Sequence, residues 1–188
     1  DCKPEMLNQF AILGSLMSKY VYGINNPKVG LMSIGEEKEK GNLLTLAAHQ
    51  LLAQNQLINF IGNVEGRDIM TGDVHIVVCD GFTGNIVLKF AESIISVLRG
   101  KISGFAEQNL WNKVRVAAAL PTLKSVLKDM DYQQYGGVPL LGVNGVVIIG
   151  HGKSTPIAIK NMVVRAAETA EHNISGKIES FLQYRSEL

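Results

Sequence analysis

Residues 79–85, Cys79-Asp80-Gly81-Phe82-Thr83-Gly84-Asn85, decide how this chain folds. They join the most apolar short run of the sequence, Val74 to Val78, directly to an amphipathic pattern from Ile86 to Leu98. An apolar run of this length, a turn with two glycines and a repeat of helical period predict a strand, a tight turn and the start of a helix.

The same turn offers groups that attract anions. Glycines let the backbone pass close to a ligand, and the free amides of a helix N-terminus attract negative charge. Thr83 and Asn85 add side-chain oxygens. We therefore predict a phosphate or carboxylate site at this turn. The alternative is that Asp80 or Thr83 only caps the helix while Gly81 makes the turn.

Composition limits the classes of protein that this chain can belong to. Its 188 residues are 46% apolar, which is enough for a full core in one domain or in a large part of one. The net charge of +1 gives no global field that would favour nucleic acid, so we expect no nucleic-acid partner. The two cysteines, Cys2 and Cys79, lie far apart and are expected to be reduced.

The termini and hydropathy predict a cytoplasmic protein. No run of eighteen apolar residues is present, and Asp1-Cys2-Lys3-Pro4 is not a secretory signal. Since the sequence has no initial methionine and opens directly on a helix start, we expect it to be a fragment of a longer chain.

Strands alternate with helical connections in the first 78 residues. The predicted elements are a helix from Pro4 to Tyr22, a strand from Lys28 to Ile34, a helix from Leu43 to Asn55, a strand from Asn59 to Val64, a helical turn to Met70 and the strand from Val74 to Val78. This alternation predicts a parallel sheet, whose ligands bind at the carboxyl ends of the strands. Lys40, Glu65 and residues 80–85 all follow strand ends, so we predict that they share one active-site edge.

The following helical region is apolar and basic. Gly100 and Gly104 are expected to loosen the first helix after Leu98, and Pro121 is expected to break the second. From Gln108 to Lys128 there are four basic residues and no acidic one. A basic, apolar helical hairpin with a proline at its tip could bind a bilayer surface or an acidic partner. The alternative is a buried helix pair whose lysines reach water.

The last third predicts a hairpin or a bent strand pair, and a second anion site at the start of a helix. Val138 to Val143 and Val146 to Ile149 flank an Asn-Gly turn, and a long helix is expected from Ile157 to Leu182. Glycines and possible capping residues in residues 150–156 precede that helix. The spacing does not match a nucleotide-binding P-loop, because the glycines are too close together.

Single residues carry weaker signals. Lys40 could steady a phosphoryl or carbonyl oxygen, although its charged loop could also be merely solvated. His151 could be an acid or base, or a hydrogen-bonding spacer. Cys79 could be a nucleophile, but a cysteine at a strand end more often serves packing. No histidine or cysteine spacing fits a metal site, so we expect no metal.

Six stretches together resemble the bacterial phosphate acyltransferases of phospholipid synthesis. They are KPEMLNQFAILGS (3–15), PKVGLMSIGEEKEKGN (27–42), NFIGNVEGRD (59–68), DGFTGNIVLK (80–89), YGGVPLLGVNGVVIIGHGKS (135–154) and the terminal helix. The matching stretches occur in family order and cover nearly the whole chain. The resemblance implies acyl transfer from acyl carrier protein to inorganic phosphate, without a cofactor, giving acyl phosphate for phosphatidic acid synthesis.

The resemblance also implies an architecture. The family has a three-layer α/β/α fold with a mostly parallel sheet, similar to phosphotransacetylases and to isocitrate and isopropylmalate dehydrogenases, and is usually a homodimer. Residues 1–188 would be the C-terminal part of one such acyltransferase domain. Residues 103–130 would form a protruding helical hairpin that contacts the membrane.

Carried over by position, the catalytic pair of the family falls on Lys40 and Asn85. Lys40 would neutralise the phosphate or the developing oxyanion, and Asn85 would donate a hydrogen bond to the thioester oxygen. The implied substrate-binding residues are Asp80, Gly81, Thr83, Gly84, Gly150, His151, Gly152 and Ser154. The implied membrane-contact residues are Trp111, Val114, Ala118, Leu120 and Leu123.

The implied partners are acyl carrier protein, inorganic phosphate and the inner face of the cell membrane, with the protein peripherally attached. Two alternatives remain. One is phosphotransacetylase-type transfer between coenzyme A and phosphate, and the other is a non-catalytic scaffold that brings carrier protein to the membrane. The metal-binding aspartates and the nicotinamide site of the dehydrogenases have no counterpart in the sequence.

Overall fold

The computed structural model describes residues 1–126, 136–150, 152 and 154–186, and they form an α/β fold. The elements in chain order are α1 (Pro4–Tyr22), β1 (Lys28–Met32), α2 (Leu43–Gln54), β2 (Asn59–Val64), a 3₁₀ turn (Gly66–Met70), β3 (Ile76–Val78), α3 (Gly81–Glu107), α4 (Leu110–Val126), β4 (Gly137–Pro139), β5 (Ile148–Gly150), α5 (Pro156–Glu171) and α6 (Ile174–Ser186).

The first sheet is parallel, as predicted. Its strand order is β2-β1-β3, so β1 is central and α2 makes the crossover from β1 to β2. Met32 aligns with Val64, and Leu31 aligns with Val78, so the three carboxyl ends lie side by side. The pairing of β1 with β2 shifts by one residue after Val29.

Helices α1 and α2 cover one face of this sheet. Their buried residues join those of the strands in a single core cluster, which consists of Leu7, Ala11, Val29, Leu31, Ala48, Leu52 and Val78. Alternation of side chains along β1 puts Val29 and Leu31 on this face and Gly30 on the other. On the other face, Gly30 lies against the side chain of Val64, and Ile61 of β2 is 44% exposed.

The bounds of α1 and β2 agree with the prediction, because their local signals are strong. Pro4 lies in the first turn of α1, and Gly23 ends the helix in the left-handed region at φ 72°. β1 and β3 are shorter than predicted.

Helix α3 differs from the prediction at both ends. It begins at Gly81, because Asp80 caps it, so most of the predicted turn is already helical. It then continues through Gly100 and Gly104 to Glu107, whereas we expected these glycines to loosen it. A glycine inside a helix costs only about 1 kcal/mol, which the neighbouring helical hydrogen bonds offset.

The prediction that Pro121 breaks the helix is wrong. Pro121 lies inside α4, where it removes one hydrogen bond without ending the helix. α3 and α4 contact each other and are separated by Gln108 and Asn109. Pro121 therefore does not lie between two helices, and residues 127–130 of the predicted hairpin lie outside the described residues.

The last third forms a small antiparallel pair, β4 with β5, and two helices. The pair confirms the predicted hairpin, but its strands are shorter than expected. The prediction of a single long helix to Leu182 is wrong, since one helix ends at Glu171 and the next begins at Ile174. Asn173 adopts φ 46° there, a left-handed conformation that asparagine tolerates and that ends a helix.

Candidate functional site

The carboxyl edge of the parallel sheet carries the predicted catalytic residues. The loop after β1 contains Lys40, and the segment after β3 contains Asn85 in the first turns of α3. Because β1 and β3 are adjacent and parallel, both segments leave the sheet at the same edge. Lys40 and Asn85 are both exposed to solvent, so a substrate can reach them.

The backbone of the Lys40 loop is closed by hydrogen bonds. The Lys40 amide donates to the Glu37 carbonyl at 3.0 Å, and the Lys40 carbonyl accepts from the Ser33 hydroxyl at 2.9 Å. Gly41 follows at φ 128°, where a side chain would be strained and would collide with Thr45. A glycine is thus required directly after Lys40 for the loop to turn into α2.

Helix α2 begins directly after this glycine. The side chain of Asn42 accepts a hydrogen bond from the Thr45 amide at 2.9 Å and caps the helix. The Lys40 loop therefore ends directly at the capped start of α2.

Asn63 holds the loop from the neighbouring strand. It is buried near the carboxyl end of β2, and its amide nitrogen donates to the carbonyls of Glu37 at 2.8 Å and Lys40 at 3.4 Å. His49 of α2 lies 3.0 Å from the Asn63 side-chain oxygen. Sequence reasoning missed Asn63, although a polar residue at the carboxyl end of an apolar strand is a recognisable signal.

An ion-pair cluster joins the loops that follow β1 and β2. The Arg67 guanidinium lies 2.7 Å from Glu36 and within 4 Å of Glu65 and Asp68. The hydrogen bond to Glu36 and the charge of Glu65 raise the pKa of Arg67 above its usual value. All four side chains reach solvent, so the cluster links the loops but adds little to stability.

Asp80 caps α3, in agreement with the capping alternative. One carboxylate oxygen accepts from the Thr83 amide at 2.9 Å, and the other accepts from the Thr83 hydroxyl at 2.7 Å. The Thr83 hydroxyl and amide lower the pKa of Asp80 below its ordinary value. Since the hydroxyl proton of Thr83 is donated to Asp80, a substrate oxygen at this turn is left to the backbone amides and to Asn85.

The two glycines of the turn have different surroundings. A side chain at Gly81 would meet open space, whereas one at Gly84 would lie 3.2 Å from the sulfur of Cys79. Cys79 is partly buried, and burial, Asp80 and Cys2 together raise the pKa of its thiol. A protonated thiol is a poor nucleophile, which agrees with the packing role.

The second predicted anion region lies on the other sheet. Gly150 ends β5, and Thr155 caps α5 by accepting from the Ala158 amide at 3.4 Å. Ser154 precedes this cap and Gly152 is exposed, whereas the predicted His151 lies outside the described residues. These residues and the Lys40 edge therefore belong to separate sheets.

A cavity of about 1090 Å³ lies between α1, the β4–β5 connection and the junction of α5 with α6. Phe10, Leu13, Val143 and Ile174 are among its lining residues, but Lys40 and Asn85 are not. The sheet edge that carries Lys40 and Asn85 therefore lies outside this cavity, and both residues are exposed to solvent.

The predicted membrane-contact residues lie on α4. Trp111 is 76% exposed and Val114 is 54% exposed, Ala118 and Leu120 are also exposed, and Leu123 is half-buried. Apolar residues are spread around α4 and do not form one stripe. Helix α3 is long and apolar enough to cross a membrane by length and composition alone, a criterion that core helices also meet.

Comparisons with known proteins agree in pointing to one family. A family model described as "Fatty acid synthesis protein" matches residues 1–177. The phosphate acyltransferase of Halothermothrix orenii is 52% identical over 180 residues, which are 95% of this chain and 54% of that protein. The phosphate acyltransferase of Nostoc sp. (strain PCC 7120) is 46% identical over 96% of this chain and 53% of its own length. That of Clostridium perfringens is 45% identical over 99% of this chain and 55% of its own length. The chain thus spans about half the length of the curated relatives it matches.

Proposed function

Because this chain belongs to the fatty acid synthesis protein family, we propose that the protein is a phosphate acyltransferase that moves a fatty acyl group from acyl carrier protein to inorganic phosphate. The relatives that the chain matches over about half of their length carry the name phosphate acyltransferase. The product would be an acyl phosphate, which is an activated acyl donor for phosphatidic acid synthesis.

The observation that carries this proposal is the common sheet edge of Lys40 and Asn85. Lys40 provides an ammonium group from the loop after β1, and Asn85 provides a carboxamide from the start of α3. Acyl transfer to phosphate needs these two kinds of group, because negative charge must be held on the nucleophile and stabilised on the carbonyl oxygen.

The reaction can then be written in steps. A phosphate oxygen attacks the thioester carbonyl carbon while Lys40 offsets the phosphate charge. Asn85 donates a hydrogen bond to the carbonyl oxygen as it becomes an oxyanion. The carbon–sulfur bond breaks, the thiolate of the carrier leaves and takes a proton from solvent, and the acyl phosphate remains. Phosphate is already a nucleophile at neutral pH, so no covalent enzyme intermediate is needed.

Asp80, Gly81, Thr83 and Gly84 would shape the substrate turn. In this proposal the Asp80–Thr83 cap orients the first amides of α3, and the absence of a side chain at Gly81 lets a substrate approach the backbone. Gly84 leaves room for the sulfur of Cys79 beneath the turn. Gly150, Gly152 and Ser154 would bind substrate oxygens from the other sheet.

Exposed apolar residues on the sheet and on α3 support two further proposals, a three-layer fold and a homodimer. Ile61 is half exposed on the sheet face opposite α1 and α2, and a three-layer α/β/α fold would cover that face. On α3, Phe82, Ile86 and Phe90 recur every four residues and are 52–78% exposed. Burial of such a stripe against a second copy would form a homodimer.

We further propose that the enzyme is cytoplasmic and binds the inner face of the cell membrane through α4. Exposure of Trp111 and Val114 next to the basic residues Lys113 and Arg115 supports this, since tryptophan favours the interface and cations favour anionic lipids. The same basic residues could attract the acidic carrier protein.

The test is to incubate the protein with fatty acyl carrier protein and phosphate and to measure acyl phosphate. Formation of acyl phosphate that depends on both substrates supports the proposal. Activity on acetyl coenzyme A and not on the carrier thioester would instead indicate a phosphotransacetylase. Delivery of carrier protein to vesicles without any turnover would indicate a scaffold.

A further inference from the structure

We propose that Asn63, oriented by His49, is a positioning residue that sets where Lys40 stands at the sheet edge. This inference rests on the proposed function for the role of Lys40, but the contacts that carry it are independent of that function. Nothing in the sequence pattern assigned a role to either Asn63 or His49.

The partners of Asn63 determine how its side chain is oriented. Two carbonyl oxygens, those of Glu37 at 2.8 Å and Lys40 at 3.4 Å, face its amide nitrogen. A carbonyl can only accept, so the NH₂ group must point to the loop and the side-chain oxygen must point to His49. His49 Nδ1, 3.0 Å from that oxygen, must therefore carry a proton.

His49 is itself held in place. Its ring meets the ring of Phe60 edge-on, with a centroid distance of 5.2 Å and an angle of 74°. The chain of contacts therefore runs from the core of α2 and β2 through His49 and Asn63 to the backbone of the Lys40 loop.

The burial of Asn63 makes a solely packing role a poor explanation. It is 7% exposed, and a buried amide is unfavourable unless its hydrogen bonds are made, whereas an apolar residue of similar size needs none. The amide of Asn63 provides a hydrogen-bond donor for the two carbonyls at the ends of the Glu37–Lys40 turn. A displacement of a catalytic group by about 1 Å can cost a factor of about 100 in rate.

The experiment compares Asn63→Leu with Asn55→Leu. Asn55 is also buried, at 9% exposed, and makes two side-chain hydrogen bonds, to Asn8 and to the Leu57 amide, away from the Lys40 loop. Melting temperature, kcat, KM and the hydrogen exchange of the Lys40 amide are measured for both variants. We expect both to lower the melting temperature, but only Asn63→Leu to lower kcat, by about 10- to 100-fold, and to speed exchange of the Lys40 amide.

Two further variants keep the test decisive. His49→Phe preserves an aromatic ring but removes the donor, and we expect a smaller loss of kcat with the same faster exchange. In a Lys40→Met background, Asn63→Leu should cause no further loss of kcat, because its effect passes through Lys40. Losses that multiply in the double variant would overturn the proposal.

The exchange measurement separates this inference from the proposed function. If the unmodified protein forms no acyl phosphate, the proposed function fails, and exchange of the Lys40 amide alone decides the positioning role. Equal exchange in Asn63→Leu, His49→Phe and Asn55→Leu would overturn that role whatever the activity.

Discussion

The hydroxyl of Ser33 donates a hydrogen bond of 2.9 Å to the backbone carbonyl of Lys40. Ser33 directly follows β1, and its amide donates to the Val64 carbonyl at 2.9 Å, which extends the pairing with β2. The last charged residue of the loop after β1, Lys40, is therefore hydrogen-bonded to the residue that directly follows β1. The backbone of Lys40 is fixed against the sheet edge although its side chain lies in solvent.

The first prediction concerns the pair at this edge. Lys40→Ala and Asn85→Ala should each lower kcat for acyl phosphate formation by about 100- to 1000-fold, because each removes a group that stabilises charge in the transition state. Melting temperatures should remain close to the parent value, since both side chains are exposed. Steady-state kinetics with fatty acyl carrier protein and phosphate measure the effect.

The matched controls lie on the same two segments. Lys38 is 75% exposed in the Lys40 loop and Lys89 lies about one turn beyond Asn85 on α3, and each forms an exposed ion pair. Lys38→Ala and Lys89→Ala should change kcat less than about twofold. Full activity with both Lys40 and Asn85 replaced would contradict catalysis at this edge.

The second prediction concerns the acid stability of the α3 start. Hydrogen bonds from Thr83 lower the pKa of Asp80 in the folded protein, while the pKa of an aspartate in an unfolded chain is about 3.9. The ionised cap therefore stabilises the fold fully above that pH, and the contribution is lost as pH falls toward the lowered folded value. Asp80→Asn should cost about 1 kcal/mol at neutral pH, where one hydrogen bond is lost.

Melting curves between pH 7 and pH 2 test this pH dependence. The melting temperature of Asp80→Asn should fall less on acidification than that of the parent protein. Asp73→Asn, on the exposed loop before β3, is the control and should follow the parent curve. Parallel curves for all three proteins would show that the cap does not titrate as we infer.

Helices and strands whose start and end are both marked in the sequence could be predicted with their bounds. Pro4 and Gly23 mark the ends of α1, and the apolar run from Asn59 to Val64 is β2 without change of bounds. The shared edge of Lys40 and residues 80–85 was also predictable, because alternating strands and helices imply parallel strands. The prediction of the edge needed only the order of elements.

The remaining features depend on contacts that periodicity does not reveal. Gly100 and Pro121 look like helix breakers in sequence, yet cooperative helical hydrogen bonds carry α3 and α4 through them. Asn173 ends α5 by its left-handed conformation, although asparagine also occurs within helices. Asn63 bonds to a loop up to 26 residues away, a relationship that exists only after β1 and β2 have paired.

The third prediction concerns packing under the sheet. A side chain at Gly30 would lie 2.5 Å from a methyl carbon of Val64, so Gly30→Ala should destabilise the protein by about 1–3 kcal/mol. In a Val64→Ala background the same change should cost less than about 0.5 kcal/mol, because the clash is removed. Urea unfolding of the four proteins gives the coupling, and additive effects would contradict the contact.

The fourth prediction uses the single tryptophan as a membrane probe. Trp111 is 76% exposed, so its emission should shift to shorter wavelength when vesicles containing anionic phospholipid are added. The shift should weaken as salt rises, since Lys113 and Arg115 contribute through their charge.

Replacement of Ala118 and Leu120 together by aspartate should abolish co-sedimentation with the same vesicles, because two carboxylates would enter the lipid interface. Aspartates at Val163 and Ala167, exposed on α5, add the same charge elsewhere and should leave sedimentation unchanged. If the α4 variant sediments as well as the α5 variant, α4 does not contact lipid, and its exposed apolar residues must be covered by protein instead.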